Sequence, residues 1–301
     1  MPDERRAPLR RLSVRLAAAA QEAGKPQYVV EKDYALGYLL AGIAAVPALY
    51  ESLVFKGGTC LRKAYFPGYR FSEDLDFTAR KPWGCEALLQ ALKEAVERMK
   101  ELLQAYGPFE VVIEEEGHSG PHQRGQCAFQ VRVQFPWMRS PQCSLKVEVT
   151  EQEPLLLAPV VRRLLHEFPG EPFEATSLVY PLEEIAAEKL RALLQSRQHL
   201  EERGWVKNRP RDLYDLRYLR QQRSVPIDWQ EVRKILPDKA AAYGITYEGR
   251  KDFLNAEVLE GIKRDWNAQL ENFVTTLPPF DECHQALQAI LDVLFEDTKR
   301  Q

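Results

Sequence analysis

The chain has 301 residues, 45% of them apolar and 28% charged, with a formal charge of −3. These figures exclude wholesale disorder and provide apolar surface for a substantial core, which at this length divides more readily into two domains than it stays in one. Five scattered cysteines with no paired spacing exclude a zinc site of the usual type and are expected to be reduced core thiols, so the fold should need no covalent staple.

The N-terminal run MPDERRAPLRRLSVRLAAAA is charge-rich with a short apolar part, which suits a helix over 9–23 better than a signal peptide. A stronger helix, QYVVEKDYALGYLLAGIAAV, is predicted over 27–46 and is expected to stop at Pro47. Short β-like runs follow at 52–56, 71–78, 109–116, 127–135 and 144–150, with an amphipathic crossover helix at 85–105. Past Pro181 the pattern turns helical, over 182–203, 212–222, 228–242, 251–275 and 281–297. The expected fold class is α+β, with a mixed α/β sheet domain over 1–180 and a helical domain over 181–301. No stretch approaches the length of a bilayer span, so no membrane is expected and the chain is assigned to the cytoplasm.

The overall charge hides an uneven distribution. From Lys189 to Arg223 ten basic residues stand against four acidic ones, a local +6 that leaves −9 for the remainder. Such a field can draw phosphates, although a solvated helix face accounts for the charge equally well.

The stretch FKGGTCLRKAYFPGYRFSEDLDF, 55–77, carries the chemistry. Alternation along a strand puts Ser72, Asp74 and Asp76 on one face and Phe71, Glu73, Leu75 and Phe77 on the other. Two converging carboxylates suit Mg²⁺, or Mn²⁺ in its place, because such an ion keeps waters and substrate phosphate as its other ligands. A lone Asp-x-Asp is more often the polar face of an edge strand. Gly57 and Gly58 add weight: a strand ending at Lys56, a glycine turn and a helix starting near Thr59 would let backbone N–H groups approach a phosphate. The Thr59 hydroxyl would join them or cap the helix.

In SLKVEVT, Glu148 shares a face with Lys146 and would either complete a metal triad or face solvent. In PLEEIAAEKLRALLQSRQHLEERG, Lys189 falls inside the apolar stripe of Leu182, Ile185, Ala186, Leu190, Leu193 and Leu194, where it must snorkel or meet an anion. Arg191 points away from that stripe and is expected at the surface. In NRPRDLYDLRYLR, Asp212 would either cap a helix or orient Lys189 or a substrate hydroxyl, with Asp215 one turn later. Arg209 and Arg211 would meet phosphates or lie in solvent. His118 and His122 have a metal-like separation, but the Gly and Pro between them mark a loop, and no metal is assigned there.

Taken in order, FKGGTCLRKAY with RFSEDLDF, LKVEVT, and EEIAAEKLRALL with RPRDLYDL resemble the motifs of the AbiEii/AbiGii toxin family, which includes the MenT toxins and belongs to the nucleotidyltransferase superfamily. VEKDYALGYLL resembles the EKD helix of that family, and the likeness spans roughly 28–220. It implies a bilobed protein with its active site in the cleft, a nucleotidyltransferase-type sheet domain and a helical lobe. It further implies Mg²⁺-dependent transfer of a nucleotide from an NTP to RNA, the tRNA 3′ acceptor end above all, blocking translation in a toxin–antitoxin system of the phage-defence type. The implied partner is a cognate antitoxin, often a winged-helix DNA-binding protein.

Position by position, the resemblance makes Asp74 and Asp76 the metal pair, with Glu148 at a third position where the family more often has Asp. Ser72 matches the serine before the pair, Lys189 the nucleotide-contacting lysine and Asp212 the catalytic aspartate. Gly57, Gly58 and Thr59 fall to the nucleotide and Arg191, Arg209 and Arg211 to RNA. The same chemistry would also serve transfer of a nucleotide or phosphate to a protein acceptor. A non-catalytic nucleotide-binding regulator is the rival from outside enzymology.

Overall fold

A computed structural model describes residues 9–116, 125–205 and 207–296. The chain divides into two compact units, one formed by residues 1–152 and 161–179, the other by 153–160 and 180–301.

The first unit opens with helices α1 (Leu12–Ala23), α2 (Gln27–Ala44) and α3 (Pro47–Ser52). Helix α2 is apolar on nearly every side and is buried from Val29 to Ile43 except at Lys32, which makes it the spine of the unit. Pro47 does not merely end a helix. It occupies the first turn of α3, where its missing N–H costs no hydrogen bond.

Strand β1 (Leu53–Lys56) runs directly into a short helix, α4 (Gly57–Cys60), continued by a wider π-helical turn over Leu61–Tyr65. Strand β2 covers Asp74–Ala79, so Ser72 and Glu73 belong to the segment before the strand and not to the strand itself. Helix α5 (Cys85–Leu103) buries Leu88, Leu92, Ala95, Val96, Met99 and Leu103, the three- and four-residue spacing of one helix face. Strands β3 (Glu110–Glu115), β4 (Gln126–Gln134), β5 (Cys143–Thr150), β6 (Val160–Arg163) and β7 (Thr176–Val179) complete a seven-stranded sheet ordered β3-β4-β5-β2-β1-β7-β6.

The sheet is mixed. β2 pairs antiparallel with β1 and parallel with β5, while β4 pairs antiparallel with both β3 and β5. Leu75 and Phe77 of β2 and Leu145, Val147 and Val149 of β5 are buried on one face, which leaves Asp74, Asp76, Lys146 and Glu148 half-buried on the other.

The cysteines correct an expectation. Cys85, at the start of α5, is joined to Cys127 of β4 by a disulfide, the two Cα atoms 5.4 Å apart. Their separation of 42 residues gives no sequence pattern, and only the folding of α5 onto the sheet brings them together. Cys60, Cys143 and Cys283 are buried free thiols, and burial pushes the last two up to about 12.

The second unit is helical: α6 (Leu182–Arg203), α7 (Pro210–Gln221), α8 (Trp229–Ala242), α9 (Ala256–Arg264), α10 (Trp266–Leu270) and α11 (Phe280–Phe295). The single helix expected over 251–275 is broken into a 3-10 turn, α9 and α10. Asn255 starts α9 by accepting from the backbone N–H groups of Glu257 and Val258, both at 3.1 Å. No described helix is long and apolar enough to cross a membrane.

Candidate active site

The motif-bearing end of β1 and β2 is built around two glycines. Gly57 takes φ +81°, a conformation that L side chains rarely adopt, and this lets β1 turn at once into α4 without the separate turn expected from sequence. A β-carbon on Gly57 would overlap Oδ2 of Asp76. One on Gly58 would stand 2.6 Å from Arg70 Nη2 and 3.2 Å from Ser72 Oγ. The bare glycine backbone therefore lies against an Asp76 carboxylate on one side and an arginine and serine on the other.

Thr59 is 1% exposed, and its hydroxyl donates to the carbonyl of Asp74 at 2.5 Å. A hydroxyl carries one proton, so this side chain ties the helix start to β2 and does not donate to a phosphate as well.

Residues beneath the motif hold it in place. Asp33 of α2 is 1% exposed and receives Arg62 Nε at 2.7 Å and Lys63 Nζ at 2.8 Å. Burial would raise the Asp33 carboxyl, but the two cations overcome that and hold it at about 2. Arg62 stacks on the ring of Phe71 at 4.0 Å and donates to the Tyr69 carbonyl, which fixes the segment presenting Arg70 and Ser72. On the neighbouring position of α2, Lys32 reaches Glu73 at 3.4 Å. The EKD helix thus braces the Ser-x-Asp-x-Asp segment from two directions.

The third carboxylate stands beside the pair but is engaged with a lysine. Glu148 does sit opposite Asp76 in the β2–β5 register, but its Oε1 is 2.6 Å from Lys146 Nζ, which also meets Glu116 at 3.2 Å. Among the described residues no three His, Cys, Asp or Glu side chains are grouped to hold a metal ion. Asp74 and Asp76, alternating on β2 with Gly57 against the second of them, still offer a pair of oxygen ligands. Such a set fits Mg²⁺, which is bound by one or two carboxylates when a substrate's phosphates supply the rest.

The second unit carries its own charged cluster. Lys189, 7% exposed within the apolar face of α6, is 2.8 Å from Asp212 and 2.6 Å from Asp215, both on α7. Asp212 is not the cap of α7, because the helix already starts at Pro210. It stands in the first turn. Against the raising effect of burial, Lys189 and then Arg209 hold its carboxyl below the ordinary range. Asp215, fully buried, is the direct partner that sequence spacing only hinted at.

The three arginines differ in setting. Arg191 is not at the surface: it is 8% exposed, stacks over the Tyr243 ring at 3.9 Å and donates to Gln195 at 2.8 Å. Arg209 is half-buried, 3.8 Å from Asp212, and Arg211 lies over Phe273 at 4.3 Å. His118 and His122 lie outside the described residues.

Among solved structures, the chain resembles MenT4, a nucleotidyltransferase toxin from Mycobacterium tuberculosis H37Rv. The TM-score is 0.56 at 23% identity, over 93% of this chain and 98% of that one, a likeness of fold. No curated protein matches. The model of the family described as nucleotidyl transferase AbiEii toxin of type IV toxin–antitoxin systems matches residues 38–292, a span that holds the glycine pair, both β2 aspartates and the Lys189 cluster. The chain belongs to the AbiEii family of nucleotidyl transferase toxins.

Proposed function

We propose that this protein transfers a nucleotide from an NTP to a hydroxyl of RNA, the 3′ acceptor end of tRNA first among candidates, and so blocks translation. One observation supports the reading above the others: the bare backbone of Gly57 and Gly58 comes directly against Asp76, Arg70 and Ser72, at the head of the strand that carries the Asp-x-Asp pair.

In this proposal Asp74 and Asp76 hold Mg²⁺, which when bound supplies charge neutralisation for the triphosphate. The backbone of Gly57–Thr59, together with Ser72 and Lys189, binds the phosphates. Glu148, paired with Lys146, is the candidate for a third ligand. Asp212 stays ionised at neutral pH and accepts a hydrogen bond from the acceptor hydroxyl, its lowered pKa favouring orientation over proton abstraction. The acceptor oxygen bonds to the α-phosphorus as the α–β phosphoanhydride bond breaks, pyrophosphate leaves and the proton passes to solvent. Positioning and charge stabilisation supply most of the catalysis.

RNA is drawn by the basic 189–223 region through Arg209 and Arg211, while Arg191 supports α6 from within. The setting is the cytoplasm, where NTPs and tRNA occur together. The partner is a cognate antitoxin, with a winged-helix DNA-binding protein as its expected type.

The test is incubation of the protein with Mg²⁺, total tRNA and each α-³²P NTP in turn, beside Asp74→Ala. Label on tRNA should appear with the wild type and fall by about 10²-fold or more in the variant. Label that survives ribonuclease but not protease would assign the acceptor to protein and sink the RNA reading. No label on any acceptor, with NTP still bound, would point to a regulator.

A further inference from the structure

A cavity of about 350 Å³ opens in the helical unit, where the end of α9 meets α10 and the segment leading into α11. Its lining includes Lys263, Arg264, Trp266, Asn267, Pro279 and Phe280, and no lining residue is acidic. Trp266 is 4% exposed and spends its indole N–H on the Pro278 carbonyl at 2.9 Å, so it offers the cavity only ring. Phe280 is half-buried and meets Trp266 edge-on, with centroids 5.8 Å apart. Lys263 and Arg264 are exposed, and Lys263 Nζ stands 5.8 Å from the Phe280 centroid. Two consecutive cations at the end of α9 complement its dipole, but the dipole does not account for the aromatic and proline wall facing them.

Of the nearby acids, Asp265 accepts from Asn208 at 2.8 Å and from Gln269 at 3.2 Å through Oδ2 while its Oδ1 lies 3.5 Å from Arg264 Nε, and Glu282 pairs with Arg217 at 2.7 Å. These same bonds tie the cavity to the segment carrying Arg209 and Arg211. Asn208 packs on the bare Cα of Gly261 in α9, where a β-carbon would strike it, and Arg211 lies over Phe273, between α10 and the cavity wall.

From this continuity, and resting on the RNA-acceptor reading above, we infer that the cavity binds one nucleotide of the acceptor RNA away from its reacting end. Its phosphates lie on Lys263 and Arg264, its base packs on Phe280 and Pro279, and Asn267 offers an amide to the base edge. Cations beside a flat ring are the combination that holds a single-stranded nucleotide, since every base has a face to stack and every linkage a charge.

The test compares the full-length wild type with Lys263→Glu/Arg264→Glu and with Phe280→Ala, using 5′-labelled tRNA in fluorescence anisotropy at several salt concentrations and the α-³²P transfer assay. The double variant should bind tRNA at least about tenfold more weakly, with a log K against log salt slope shallower by about 1.5. Its KM for tRNA should rise in step while kcat and the KM for NTP hold. Phe280→Ala should weaken tRNA binding about tenfold without changing the salt slope. If the wild type labels tRNA and the double variant matches it in affinity and KM, the cavity is not an RNA site and the RNA-acceptor reading stands. If the wild type neither binds nor labels RNA, that reading fails and takes the cavity assignment with it. Retained tRNA affinity with lost neutralisation by the antitoxin would assign the cavity to a protein and overturn the inference.

Discussion

Asp33 shows how a residue remote from the reacting groups sets their geometry. A carboxylate with two cations is held by charge, and Arg62 passes that restraint to the Tyr69–Phe71 segment. The Asp33 carboxyl titrates at about 2 in the folded protein against an ordinary 3.8, so between those values the folded form binds fewer protons than the unfolded one. Its contribution of about 2 kcal/mol is present above about pH 4 and is lost as the pH falls to 2. Urea titrations from pH 5 to pH 2 should show that loss in the wild type, and Asp33→Asn should lack this part of the pH dependence while being less stable at pH 5. An identical pH profile in the two proteins would refute the assignment. Sequence marked Asp33 only as part of a motif, because its partners stand about thirty positions away on a different helix.

At the level of elements, the positioning of β2 depends on α2 and on the junction of β1 with α4. The disulfide belongs to this scale too, since it fastens the start of α5 to β4. Closing a loop of 42 residues should be worth about 4 kcal/mol on the loop-entropy model. Cys127→Ser should lower the melting temperature, and dithiothreitol should lower that of the wild type to a similar level while leaving the variant unmoved. A wild type indifferent to reductant would show that the bond does not form in solution. Element types were legible from periodicity, as the match of α6 to residues 182–203 shows. The broken helix after residue 250 was not, because Asn255 and the residues around it suit a helix interior and a helix cap alike until packing decides between them.

For the whole molecule, the division into two units follows the chain less simply than a single cut. Residues 153–160 join the helical unit because Lys239, fully buried, binds the Pro154 carbonyl at 2.9 Å and lies 3.6 Å from Glu153. It also meets Glu184 at 2.8 Å and Glu188 at 3.2 Å, while Glu184 receives the backbone N–H groups of Leu156 and Leu157. Lys239→Met would leave three carboxylates around an apolar chain and should cost about 3–5 kcal/mol by urea denaturation, part of it restored by adding Glu184→Gln. Unchanged stability in the single variant would dismiss the lysine as the fastener. By itself the sequence determined the fold class, the alternation that puts Asp74 and Asp76 on one face, and the anomaly of Lys189 in an apolar stripe, since periodicity and local chemistry suffice for each. Only the tertiary structure decided that Asp215 shares Lys189 with Asp212, that Glu148 is held by Lys146, that Arg191 is buried against Tyr243, and that Cys85 reaches Cys127. Each of these joins residues through the packing of separate segments or the competition of neighbouring charges, and no local pattern in a chain records which pairing lowers the free energy most.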